Sequence, residues 1–167
     1  MKKIILATFV AAFAVPAAAA PGDTDTTQGT ATAEIVSPIS ITHDASDALS
    51  FGTIASGDAG TVIVSQAGAL DGSSTATTLT GSTYSADLFT VTGDAGRSFS
   101  IATTGGNVTS GLDSMAFTTS APASGTLSSP VVGLGSATFN VGGTLTVGAN
   151  QAAGSYSGSY DATVTYN

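Results

Sequence analysis

The chain has 167 residues, 8% of them charged, with 11 Asp plus Glu against 3 Lys plus Arg and no cysteine. That length fits one domain. A chain so acidic cannot neutralise phosphates, which excludes nucleic-acid binding and attraction to anionic lipid, and disulfide stapling is excluded with the cysteines.

Residues 1–20 read as a secretory signal peptide: Lys2 and Lys3 form a positive start, Ile4 to Val15 an apolar run, and "VPAAAA" a small-residue cleavage region. The run is too short for a good membrane span and no second one follows. The expectation is an exported protein with no membrane anchor, passing through the periplasm to the cell surface or beyond. Without the signal, Arg97 is the only Lys or Arg left. Residues 21–33, "PGDTDTTQGTATA", are polar and small, an N-terminal extension ahead of a β domain over residues 34–167.

Within that domain, long helix formers are scarce and short runs of Val, Ile, Leu and Phe alternate with Thr and Ser, which is a strand composition. "IVSPISIT" is an edge strand or a kinked pair, because proline cannot donate to a ladder. "ALSFGTI" places Leu49, Phe51 and Ile54 in a strand with Gly52 as a bulge or bend, and "GTVIVSQAG" puts Val62 and Val64 on one face. "DLFTVTG" and "RSFSIATTGG" flank the turn "GDAGR", with Phe89 and Val91 in the first and Phe99 and Ile101 in the second. "SMAFTTS" alternates Met115 with Phe117, "TLSSPVVG" is looser, and "ATFNVGGTLTVG" is a hairpin or a bulged bend about its Gly-Gly pair. "GSYSGSYDATVTYN" reads as one last strand, with Tyr160, Ala162, Val164 and Tyr166 on one face. About eight or nine short strands and no helix make an antiparallel β-sandwich with Greek-key connections.

Little in the sequence carries chemistry. His43, the single histidine, sits in the polar stretch "THDASD" and reads as a loop residue, and no nucleophile elbow is present. One His and no Cys cannot close a zinc shell, and "HDASD", "GDAG" and "LDGSS" offer turn aspartates rather than the spaced oxygens of a calcium loop. No phosphate loop or dinucleotide fingerprint occurs. The expectation is a protein that is not an enzyme and has no cofactor or metal; a secreted hydrolase ranks last, with no substrate to suggest.

The two ends carry a resemblance. Tyr166 is penultimate, Gly154 is fourteenth from the last residue, and "ALSFGTI" contains Leu-x-Phe-Gly. In these respects the chain resembles chaperone–usher pilins and spore-coat-protein-U domains, and from "ATAEIVSPISIT" to "GSYSGSYDATVTYN" it is similar to proteobacterial secreted proteins labelled Mat/Ecp-type fimbrial major subunits. The resemblance implies an immunoglobulin-like sandwich lacking one strand, completed first by a periplasmic chaperone and, beyond an outer-membrane usher, by the N-terminal extension of another copy. It makes Gly154, Tyr156, Tyr160, Ala162, Val164 and Tyr166 the lining of the acceptor groove, and Thr30, Ala31, Thr32, Ala33 and Ile35 the donor. The implied function is a structural subunit of a pilus or surface fibre. Because the residues before Ile35 are small, two arrangements stay open. Either the donor extends into "EIVSP", or the domain completes its own sheet and acts as a secreted adhesin or matrix protein.

Overall fold

Thr, Ser and Gly alternate with larger apolar residues along most of the chain, and every strand pairing that results is antiparallel. The computed structural model describes Gly22, residues 24–131 and residues 134–167. The signal peptide read over residues 1–20 lies outside the described residues, as do Pro21 and Asp23 of the extension. The chain divides into two units, Met1–Glu34 and Ile35–Asn167. In the first, residues 24–34 carry no strand and are all exposed.

The second unit holds ten strands and, among the described residues, no helix. They are β1 (Ser40–His43), β2 (Gly60–Val64), β3 (Asp87–Gly93), β4 (Ser98–Thr103), β5 (Gly106–Ser110), β6 (Asp113–Ser120), β7 (Ser124–Thr126), β8 (Ser128–Val131), β9 (Leu134–Val147) and β10 (Ala162–Tyr166). The larger sheet runs β1-β3-β9-β6-β5, with β2 and β8 also paired to β9; the smaller runs β10-β4-β7. The chain changes sheet between β3 and β4, β4 and β5, β6 and β7, β7 and β8, and β9 and β10. The result is an all-β antiparallel sandwich.

Strand β9 organises the larger sheet. Its first part pairs with β3 from Gly135 to Val141, and its last part with β2 from Gly143 to Val147; on the other edge β8 gives way to β6. The change of partners falls at Gly142–Gly143, so the Gly-Gly pair is a crossing point within one strand rather than a hairpin. A Cβ on Gly142 would overlap the Val64 carbonyl oxygen, and one on Gly143 would lie 2.6 Å from that of Thr118. Only glycine lets the ends of β2 and β6 converge so closely on β9.

Two cores follow from this. Phe89, Val91, Phe139 and Val141 of the larger sheet meet Phe99 of the smaller sheet and Leu127, with Ile39, Ile41, Ala162, Val164 and Tyr166 around them. Val62, Met115, Phe117, Leu145 and Val147 form the second, bordered by Phe51, Ile54, Val108, Tyr156 and Tyr160. Burying each large side chain contributes about 1.5–3 kcal/mol.

Three sequence expectations change. "ALSFGTI" is not a strand: Leu49, Phe51 and Ile54 break strict alternation, Gly52 has φ +70°, and the segment is held by the isolated bridges Ser50–Ser85 and Ile54–Thr78 and by hydrogen bonds with Ser82 and Ser85. A Cβ at Gly52 would stand 2.7 Å from the Tyr84 ring. The final stretch is a strand only from Ala162 to Tyr166. Upstream of it the chain runs against β5, through the bridge Thr109–Ser157, and Gly158 packs so near the Asn107 carbonyl oxygen that a side chain would overlap it. Finally, β5 and β7 are additional strands; Val108 is the only large apolar residue of β5, and β7 has none.

Candidate functional site

Parity decides what the outer edge of β10 offers. The Thr104 amide donates to the Asp161 carbonyl at 3.0 Å, and the Asn167 amide to that of Ser98 at 3.1 Å. Between these, Thr163 faces Ala102 and Thr165 faces Ser100. Hydrogen-bonded pairs alternate in an antiparallel ladder, so the backbone of Asp161, Thr163, Thr165 and Asn167 points at β4. The N–H and C=O groups of Ala162, Val164 and Tyr166 point the other way, where no strand of the described residues pairs with them. The side chains of these same three residues are half-buried against the first core, while Thr163 and Thr165 are exposed.

A tyrosine fastens each end of this edge. The Tyr166 hydroxyl accepts from the Asp94 amide at 2.7 Å and donates to the Ser37 carbonyl at 2.9 Å, tying β10 to the end of β3 and the approach to β1. That hydroxyl lies so close to Gly93 that a side chain there would overlap it. At the other end the Tyr160 hydroxyl donates to Asp87 Oδ2 at 2.7 Å, and His43 Nε2 sits 2.6 Å from Asp87 Oδ1. Asp87 is only 5% exposed. Burial, then the hydrogen bond and charge of Asp87, push the Tyr160 phenol well above its ordinary value. The Tyr160 ring meets Phe89 and Phe117 edge-on at 6.2 and 6.1 Å, one in each core.

The residues singled out from the sequence fall into three places. Tyr160, Ala162, Val164 and Tyr166 belong to β10 and its approach, on the first core. Gly154 and Tyr156 are elsewhere: Gly154 packs on Ser110, at the end of β5, and the Tyr156 hydroxyl accepts from Gln151 Nε2 at 2.9 Å and donates to the Ala152 carbonyl at 2.8 Å. Thr30, Ala31, Thr32 and Ala33 are exposed and outside any strand, and Ile35, in the other unit, is 97% exposed.

Sequence reading missed the partners. Asp87 was legible in one respect, because the parity of "DLFTVTG" puts it on the face of Phe89 and Val91, a carboxyl at a core position. His43 was read as a loop residue but is the last residue of β1, and nothing in its neighbours points to an aspartate 44 positions away. The turn aspartates were legible. The Ser46 hydroxyl, then its amide, hold Asp44 below the usual carboxylate range, and the Ser73 amide leads at Asp71. Among the described residues no group of three or more His, Asp or Glu side chains converges as a metal site would require, and no helix is long and apolar enough to cross a membrane.

No curated protein and no solved structure matches the chain. A family model does, over residues 39–166, from the residue before β1 to the last residue of β10. The matched region therefore takes in all ten strands and both tyrosines, though not Ser37, and the chain belongs to the family described as a domain of unknown function, DUF4402.

Proposed function

We propose that this domain is a non-enzymatic structural subunit of a pilus or surface fibre, exported and then assembled by addition of a strand to the outer edge of β10. One observation carries the reading. Ala162, Val164 and Tyr166 present backbone groups that no strand of the described residues pairs, along an edge whose inward side chains are only half-buried. A strand laid there satisfies that backbone and covers those side chains at once, which is the chemistry of β-augmentation. The partners on this reading are other copies of the chain in the fibre, preceded by a periplasmic chaperone and an outer-membrane usher, as in the fimbrial subunits the sequence resembles. Ile35, large, apolar and 97% exposed ahead of β1, is the strongest anchor available to a donor segment built on Thr30 to Ala33.

The test is an unheated sample on a denaturing gel. A ladder of multimers is expected, lost when residues 23–35 are deleted while the circular-dichroism spectrum of the sandwich persists. A monomer indifferent to that deletion would overturn the proposal.

A second reading, a self-complete secreted sandwich serving as an adhesin or matrix protein, is favoured by the Tyr166–Ser37 hydrogen bond. That bond already closes one end of the edge within a single chain.

A further inference from the structure

The half of the fold made by β2, β9, β6 and β5 has an apolar face with no sheet of the described residues opposite it. Val62, Met115, Phe117, Leu145 and Val147 form that face. Residues 48–56 and 151–160 lie over it without forming strands, held through isolated bridges at Ser50, Ile54 and Ser157. Between floor and cover is a cavity of about 1020 Å³, at the upper end of the roughly 300–1,000 Å³ usual for small-molecule sites.

Its lining has a definite chemical sense. Its aromatic lining is Phe51, Phe89, Phe117, Tyr156 and Tyr160, and Asp87 lies in the same lining with the His43 imidazole beside it. Phe51 and Phe117 stand 6.2 Å apart and Phe117 and Tyr160 6.1 Å, centroid to centroid. A carboxylate offers about four acceptor positions; His43 and Tyr160 occupy two of those on Asp87. The lining contains no Lys or Arg, and the chain has a formal net charge of -8, so the field at the cavity repels anions and draws cations. Aromatic faces beside a buried carboxylate with acceptor capacity to spare suit a positive nitrogen carried on an apolar body.

We propose that the cavity beneath residues 48–56 and 151–160 binds a small organic ammonium ion, its nitrogen held by Asp87 and the faces of Phe117 and Tyr160, and its apolar part laid against Met115 and Phe51. The site shares Asp87 and Tyr160 with the fastening at one end of the β10 edge, but it does not depend on assembly through that edge.

Benzylamine and benzyl alcohol, which share a ring and differ in charge, are the probes. Titrated calorimetrically into the folded full chain, benzylamine is expected to bind saturably at one site, at least tenfold more tightly than the alcohol. Asp87→Asn is expected to abolish the difference. Because that variant removes a buried group, Ala153→Phe provides a second arm: Ala153 is exposed at the cavity's cover, and the added ring is expected to lower benzylamine affinity tenfold without changing the thermal midpoint. Competition by Nα-acetyl-lysine amide would assign the natural ammonium to a protein side chain, and its failure to compete would assign it to a free amine. Equal affinity for the two benzyl probes, binding of neither, or benzylamine binding indifferent to Ala153→Phe would overturn the proposal.

Discussion

Tyr166 and Tyr160 are the residues on which the outer edge of β10 depends, and each does its work through a single hydroxyl. Removing that of Tyr166 leaves the Asp94 amide and the Ser37 carbonyl without their partner. Tyr166→Phe is therefore expected to cost about 1–3 kcal/mol in urea unfolding. Thr165→Ala, one position away on the exposed face, should stay within about 0.5 kcal/mol; equal effects would mean that the fastening contributes nothing. Tyr160 makes a prediction in pH. Its folded phenol holds its proton more tightly than the unfolded one, through burial and Asp87. The stabilisation this gives is fully present below the ordinary tyrosine value of about 10. It is lost as pH rises beyond that value, because the unfolded chain releases the proton first. Thermal midpoints are thus expected to fall above about pH 10, and to fall less steeply in Tyr160→Phe, although that variant starts lower because it deprives Asp87 of a donor.

At the scale of the elements, β9 is the one that most constrains its sequence. Gly143→Ala sets a Cβ 2.6 Å from the Thr118 carbonyl oxygen in a buried position. It is expected to destabilise by about 1–3 kcal/mol, as overpacking does. Ser136→Ala on the exposed face of the same strand should be nearly silent, and chemical denaturation of the two variants separates them. The strands most legible in the sequence were those where alternation is strict and the inward residues are large, as in β3 and β6. Legibility failed where inward positions are small or the spacing slips. The stretch "GSYSGS" alternates on paper, yet it makes only the isolated bridge Ser157–Thr109, and the chain runs beside β5 on its way from β9 to β10. Phe51 and Ile54 are three apart, a spacing that suits a segment draped over a core better than a strand. The two tyrosine fastenings were beyond sequence reasoning, because each joins residues more than seventy positions apart through loops that carry no pattern of their own.

For the molecule as a whole, the open edge has a direct spectroscopic consequence. In the monomer the amides of Ala162, Val164 and Tyr166 are expected to exchange with solvent much faster than those of Thr163 and Thr165, which donate toward β4, and assembly should erase that alternation. Uniform protection in a monomer would favour the self-complete sandwich. The dependence of the larger sheet on β9 also governs when the fold can appear. Without residues 134–147 the chain retains only the pairs β1–β3, β5–β6, β4–β7 and β4–β10, while β2 and β8 have no partner strand. Asp87 must find Val141 and Gly60 must find Val147, across long intervening loops, and such non-local pairing is slow. A chain emerging from the ribosome therefore cannot complete the larger sheet until residues 134–147 have been made. On the proposed reading of an exported fibre subunit, that delay keeps the larger sheet unformed while the chain is exported.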